Sequence, residues 1–130
     1  MREILFRGKG DKRYNDGEWC FGVPIECYDG DWQICTDCIR STVIPETVGQ
    51  YTGLKDKNGK KIFEGDIVKI PLYEGCQEKT IAVVAWDILC AVFYLHGKRV
   101  KTDFYHYFGN DCEVIGNIHD NKLEDFENGC

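Results

Sequence analysis

The sequence has no apolar run that approaches the roughly 18 residues needed to span a membrane as a helix. The first residues, Met1 to Arg7, lack the apolar core of a secretory signal peptide. Basic residues are not in excess: 16 Lys and Arg stand against 22 Asp and Glu, for a net charge of −6. Such a charge does not favour nucleic acid as a partner, although it allows one. We therefore expect a cytoplasmic protein that does not enter a membrane and whose eight cysteines are mainly reduced.

The motifs of the common enzyme classes are also missing. The single serine, Ser41, is not part of a nucleophile elbow. Neither the Walker nor the dinucleotide-binding glycine spacing occurs, and His96, His106 and His119 share no motif. No cofactor is therefore predicted, and an enzyme would need a site assembled from residues that are distant in the sequence.

The composition of the 130-residue chain is that of a globular protein, with 43% hydrophobic and 29% charged residues. Aromatic residues reach 13% and glycines number 14. Many aromatics together with many glycines favour strands and tight turns over helices. The composition therefore predicts an all-β, or mainly β, protein.

Residues 1–46 are predicted to form an N-terminal lobe of strands and a hairpin. Ile4 to Phe6 is a short apolar run that suits a strand. The segments 19–25 and 32–35 flank Asp29-Gly30, a strong hairpin signal. Residues 37–46 are ambiguous, since Pro45 argues against a long helix there.

Residues 47–120 are predicted to form a small β-barrel, because short strands alternate with turns rich in glycine. The expected strands lie at residues 48–54, 67–70, 80–86, 89–95 and 113–118. Residues 121–130 form an acidic tail with one short helix expected around Leu123 to Phe126.

One stretch is more informative than the rest of the chain. From Thr47 to Ile70 it reads T-V-G-Q-Y-T-G-L-K-D-K-N-G-K-K-I-F-E-G-D-I-V-K-I. This resembles the signature of the YopX family, in which Q-Y-T-G-L-K-D-K-N-G-K is followed by E-G-D-I-V. The opening R-E-I-L-F-R at residues 2–7 and the late E-V-I-G-N-I-H-D-N at residues 113–121 also match the family. Residues 20–38 and 71–112 follow no motif of that pattern.

The resemblance implies a phage or prophage protein in a bacterial host cell. It also implies a barrel of the Src-homology-3 type in the C-terminal part. It implies no activity, because the family has no established function.

The signature residues themselves are explained by turn chemistry. Gly53, Gly59 and Gly65 are expected at turns where a positive φ angle is needed. Asp66 begins a strand, where its carboxylate can accept turn N–H groups. With Asp56 and Asn58, these residues are predicted to form a structural turn motif.

Four cysteines fall within residues 20–38. Cys35 and Cys38 have the spacing of a zinc knuckle, and Cys20 and Cys27 lie upstream. A structural zinc site uses two tight pairs, whereas Cys20 and Cys27 are not a tight pair. No metal is therefore predicted, and a zinc-stabilised structural protein is the alternative.

An aromatic run at residues 104–108 follows three cationic residues. The run is too polar for a simple buried strand, so some of its rings could be exposed beside Arg99 and Lys101. Arg99, Lys101, Tyr105 and Tyr107 are therefore the candidate binding surface. The alternative is that the rings cover the open end of the barrel.

The sequence thus predicts a non-enzymatic binding module of unknown specific function. Its partner would be another protein, a second copy of itself or nucleic acid. A homo-oligomer is expected, because an open β-structure leaves strand edges with unpaired backbone groups and Ile4 to Phe6 must dock somewhere.

Overall fold

The computed structural model describes residues 3–73, 75–99, 101–103 and 111–127. Contacts divide the chain into two compact units, residues 1–51 and residues 52–130. The expected fold class is confirmed at this level: the chain is all-β, with two antiparallel sheets and almost no helix. No helix within the described residues has the length and apolar character needed to cross a membrane.

The first unit is an antiparallel sheet. Its strands are β1 (Phe6–Lys9), β2 (Trp19–Glu26), β3 (Trp32–Thr36), β4 (Ile39–Val43) and the first residues of β5 (Gly49–Lys55). The order is β4-β3-β2-β1-β5, and a 3₁₀ turn, Pro45–Thr47, precedes β5. An isolated bridge between Gly10 and Val43 also connects the end of β1 to the end of β4.

The N-terminal strand begins later than the sequence predicts. Ile4 lies outside any strand and its side chain is 68% exposed, whereas Phe6 and Arg7 pair with β2 on one side and with β5 on the other. The strand at residues 4–6 is therefore corrected to β1. Both edges of β1 are used inside the chain, so this segment gives no reason for a homo-oligomer.

The hairpin around Asp29-Gly30 is confirmed. β2 and β3 pair antiparallel from Val23 opposite Cys35 to Glu26 opposite Trp32. The ambiguous segment 37–46 contains β4, which forms a second hairpin with β3. The turn between them is Asp37-Cys38, whose φ angles are 48° and 70°. Two positive φ angles define the tight turn that normally carries Asn-Gly or Asp-Gly.

We expect Cys38→Gly to stabilise the protein by about 1 kcal/mol, because glycine adopts a positive φ without the cost that a Cβ imposes. The change creates Asp-Gly, a favoured pair for this turn. The measurement is the free energy of unfolding in urea under reducing conditions. Cys35→Gly is the control, since Cys35 lies in β3 and glycine there should destabilise. A Cys38→Gly protein no more stable than the original would show that the turn carries no such strain.

The second unit contains the end of β5 and the remaining strands. These are β6 (Lys61–Phe63), β7 (Asp66–Pro71), β8 (Lys79–Asp87), β9 (Val92–His96), β10 (Lys101–Asp103) and β11 (Glu113–Asn117). The last five form an antiparallel sheet in the order β10-β9-β8-β7-β11. The helix expected in the tail is confirmed as α1 (Leu123–Glu127).

One face of the five-stranded sheet forms the core of this unit. Residues opposite each other on antiparallel strands share a face, and Val68 lies opposite Ala82 while Val84 lies opposite Leu95. These side chains are at most 1% exposed. They belong to one cluster with Ile62, Ile70 and Cys112. Since alternate residues point to opposite sides, the residues between them belong to the other face.

The predicted small barrel is not confirmed. Within the described residues, the strands form two sheets and no closed barrel. The expected strand 89–95 also begins later, at Val92, because residues 88–91 form a turn between β8 and β9.

Candidate functional site

The signature segment forms a turn organised by one carboxylate. Asp56 is 5% exposed. Its Oδ1 accepts the backbone N–H groups of Asn58 and Lys60, each at 2.9 Å. Its Oδ2 accepts the N–H of Val114 at 2.9 Å. The last bond joins the turn to β11, 58 residues further along the chain.

The same turn makes two further contacts to β11 and the residue before it. The backbone N–H of Lys57 donates to the carbonyl of Cys112 at 2.9 Å. The Lys57 ammonium lies 3.0 Å from the Glu113 carboxylate. The signature turn therefore covers the edge of β11 and satisfies backbone groups that an edge strand would otherwise expose.

The ionisation of Asp56 follows from this arrangement. Burial opposes the charged form, but the N–H groups of Val114, Lys60 and Asn58 outweigh it, and the nearby Lys60 ammonium adds to them. The pKa of Asp56 is therefore held below its ordinary value. The carboxylate is ionised at neutral pH and acts as a fixed acceptor.

The three glycines of the signature have the positive φ expected of them, but only Gly59 and Gly65 lie in turns, and Gly53 lies within β5. The φ angles of Gly53, Gly59 and Gly65 are 90°, 80° and 90°. The Gly65 N–H donates to the Val84 carbonyl at 2.8 Å. Asp66 is buried and accepts the N–H of Phe63 at 2.7 Å. Each of these signature residues thus has a role in the fold.

The predicted binding surface is only partly within the described residues. Tyr105 and Tyr107 lie outside them. Arg99 lies in the turn after β9 and pairs with Glu78 at 2.9 Å. Lys101 begins β10, and its Nζ lies 5.8 Å from the centroid of the Tyr94 ring. That distance allows a cation–π interaction.

The pairing register places further cations on the same face of the sheet as Lys101. Lys69 lies opposite Ile81, and Lys79 lies opposite Pro71. Lys101 lies opposite His96. All of these lie on the face of the five-stranded sheet opposite the core cluster, where Ile81 and Pro71 are buried and the three lysines are exposed. We call Lys69, Lys79, Arg99 and Lys101 the cationic face.

An open groove marks this face. Its volume is about 300 Å³, and it is lined by Lys69, Glu78, Lys79 and Arg99. Three of its four side chains are cationic. Lys69 and Lys79 form no ion pair with any residue that the structure describes, so both can hold an anion.

A second open groove lies beside α1. Its volume is about 290 Å³, and its lining residues are Val83, His96, Gly97, Lys98, Leu123 and Glu124. It brings an imidazole, an ammonium and a carboxylate to one apolar depression. Sequence reasoning missed it, because α1 lies far along the chain from the other titratable groups.

A comparison with models of protein families shows which family the chain belongs to. The family model described as YopX protein matches residues 9–124. The chain belongs to the YopX family. The match also covers residues 20–38 and 71–112, where the sequence alone shows no family motif.

A solved structure supports the fold assignment. The chain is similar to the crystal structure of protein EF1440 from Enterococcus faecalis, with a TM-score of 0.56 and 22% sequence identity. The similarity covers 95% of this chain and 99% of that one. No curated protein matches the sequence.

The four cysteines of this YopX-family chain that would form the alternative zinc site are spread over two hairpins. Cys20 lies in β2, Cys27 just after it, Cys35 in β3 and Cys38 in the turn before β4. Within the described ranges, no three His, Cys, Asp or Glu side chains are grouped to hold a metal ion.

Cys112 has a structural place that the sequence does not reveal. It is fully buried in the core of the second unit. Burial, together with the carboxylates of Asp56 and Asp66, raises the pKa of its thiol to about 12. The thiol is therefore neutral and behaves as a small apolar core residue.

The turn between β8 and β9 carries the most exposed aliphatic side chains among the described residues. Ile88 is 83% exposed and Leu89 is 93% exposed. The turn is ordered by Asp87, whose Oδ1 accepts the N–H groups of Leu89 at 2.9 Å and Cys90 at 3.3 Å. In the strands next to the turn, Trp86 of β8 packs edge-on against Phe93 of β9, with ring centroids 4.8 Å apart. We call residues 86–92 the hairpin tip.

Proposed function

We propose that this chain is a phage- or prophage-encoded, non-enzymatic binding module that binds an anionic partner through its cationic face. The observation that carries the proposal is the 300 Å³ groove in which Lys69, Lys79 and Arg99 converge. The proposed location is the cytoplasm of a bacterial host cell.

The net charge of the whole chain limits the distance at which the cationic face can attract a partner. At −6, the protein repels a polyanion at long range. Binding then depends on short-range contacts, because charges further apart than about 8–10 Å are screened at physiological salt. The cationic face supplies such contacts, and Glu78 orients Arg99 within the groove.

Replacing Lys69 and Lys79 together by glutamate is expected to weaken binding to a polyanion by about tenfold or more, since two attractive contacts become repulsive. The measurement is fluorescence anisotropy with labelled polyglutamate and labelled oligothymidylate, at two salt concentrations. The control is Lys12→Glu with Lys122→Glu, which makes the same change in net charge at two exposed positions outside the cationic face. Failure of the unmodified protein to bind either probe, or equal loss in the control, would refute the proposal.

We also propose that the chain forms a homodimer through the hairpin tip. Large exposed apolar side chains on an ordered turn are typical of protein interfaces. A two-fold dimer uses the same patch on both copies, so one tip is sufficient. This replaces the argument from the N-terminal strand, which pairs within the chain.

The double substitution Ile88→Ser with Leu89→Ser is expected to abolish self-association. Because both side chains are exposed in the single chain, the unfolding temperature should be nearly unchanged at concentrations where the unmodified protein is a monomer. The measurement is light scattering over a dilution series, where one chain has a mass of 15.0 kDa. Val23→Ser is the control, since Val23 is 62% exposed on another strand. An unmodified protein that stays at 15.0 kDa at every concentration would eliminate the dimer.

The groove beside α1 favours a second candidate function, an enzyme with a site assembled from distant residues. His96 and Glu124 could serve as proton donor and acceptor there. A thermal-shift screen with small metabolite-sized molecules tests this candidate. A ligand whose effect disappears in both His96→Ala and Glu124→Ala would support it, and a screen without any such ligand would count against it.

A further inference from the structure

We infer that the anionic partner of the cationic face is single-stranded nucleic acid. This inference rests on the proposed function and names the class of partner. It depends on a separate observation: two aromatic rings lie on the same face of the sheet as the cations. Tyr94 and His96 are alternate residues of β9, with ring centroids 6.2 Å apart.

The register places rings and charges side by side. His96 lies between Val83 of β8 and Lys101 of β10. The Lys101 ammonium lies near the Tyr94 ring, at 5.8 Å from its centroid. Lys79 lies on β8, which is the neighbour of β9 on the side away from β10, and Lys69 lies on β7, the next strand in the sheet. Proteins that bind single strands without sequence preference combine a cationic surface for the backbone with rings on which bases stack.

The rings separate this partner from other polyanions. An acidic polypeptide would use Lys69, Lys79 and Arg99, but its carboxylates gain nothing from the adjacent rings. A duplex keeps its bases stacked inside and cannot offer them to rings on the surface of a sheet. A single strand can place phosphates against the lysines and bases against Tyr94 and His96 at the same time.

The test compares three probes of similar charge: single-stranded oligothymidylate, a DNA duplex and polyglutamate. Each is titrated with the full chain by fluorescence anisotropy. Oligothymidylate is expected to bind more tightly than the duplex or polyglutamate. Tyr94→Leu with His96→Ala should weaken oligothymidylate binding by about tenfold, since stacking is lost, and should leave polyglutamate binding unchanged. The variant's melting temperature is measured alongside, and His96→Ala alone is the second variant if the double change unfolds the protein.

The outcomes are distinct. Polyglutamate or duplex bound as tightly as oligothymidylate would overturn the nucleic-acid inference and leave the proposed function standing. Equal loss of both probes in the ring variant would also overturn it, because the rings would then have no specific role. Binding of no probe at all would remove the proposed function and the inference together.

Discussion

Replacing Asp56 by alanine is expected to lower the free energy of unfolding by about 3–5 kcal/mol, among the largest effects of a single substitution. The carboxylate accepts three backbone N–H groups, from Asn58, Lys60 and Val114. Alanine removes both oxygens, and with them all three bonds, at a position that is 5% exposed. Donors left without a partner in a buried place each cost about 1–3 kcal/mol. Urea unfolding at neutral pH measures the loss.

Two comparisons make this result specific. Asp29→Ala removes a carboxylate that accepts one exposed N–H, that of Asp31, and should cost less than about 1 kcal/mol. Asp56→Asn retains the shape, but its amide N–H₂ cannot accept the N–H of Val114 if its oxygen faces Asn58 and Lys60. It should therefore lie between the alanine variant and the original. Equal stability of Asp56→Ala and Asp29→Ala would show that the signature turn does not hold β11.

The effect of Asp56 should also depend on pH in a defined direction. Its pKa in the folded protein is lowered, so its contribution to stability is fully present above the ordinary Asp pKa of about 3.9. The contribution is lost as the pH falls through the folded pKa. The stability difference between the original protein and Asp56→Ala should therefore shrink in acid. A difference that is constant from neutral pH into acid would mean that the carboxylate charge is not involved.

Gly97→Ala is expected to destabilise the protein by about 3 kcal/mol through overpacking. A Cβ at this position would meet the backbone carbonyl oxygen of Ile81 well inside normal contact distance. Backbone atoms of β8 cannot move aside without disturbing the pairing between β8 and β9. The substitution should also weaken anion binding, because Gly97 precedes the turn that carries Arg99.

The matched control is Gly75→Ala. Gly75 has a φ of 81°, and apart from its two chain neighbours no described residue places an atom within 4 Å of the position that a Cβ would occupy. Alanine there meets conformational strain but no clash, at a cost of about 1–2 kcal/mol. Thermal and urea unfolding of both variants separate the two causes. If Gly97→Ala is no worse than Gly75→Ala, β8 and β9 can shift apart at little cost and the close approach is not a constraint.

Elements with explicit turn chemistry could be predicted from the sequence. Asp29-Gly30 and Asn58-Gly59 mark turns that the structure contains. The β2–β3 hairpin and the short helix α1 follow the sequence pattern closely. In these places the local residues alone determine the backbone, because few residue types accept a positive φ.

Elements that depend on tertiary context could not be predicted. The β3–β4 turn has positive φ angles at Asp37 and Cys38, which carry no glycine signal. The apolar residues Ile88 and Leu89 match the strand pattern of their neighbours, yet they lie in an exposed turn. Hydrophobic pattern predicts burial and cannot identify an apolar residue that is kept at the surface.

The candidate site shows the same limit. Arg99 and Lys101 could be selected from the sequence because they are close together in it. Lys69 and Lys79 join them only through the register of β7 with β8, in which Lys79 lies opposite Pro71. Pairing register depends on the whole sheet, so the cationic face becomes visible only once the strands are aligned.

The most direct test of single-stranded nucleic acid as the partner of the cationic face is to map the contact surface in solution. Oligothymidylate is titrated into ¹⁵N-labelled protein, and the shifts of the backbone amide signals are followed. The largest shifts are expected at Lys69, Lys79, Arg99 and Lys101, with weaker shifts as the salt concentration rises. Shifts confined to the hairpin tip, or no shifts at any concentration of oligonucleotide, would contradict this expectation.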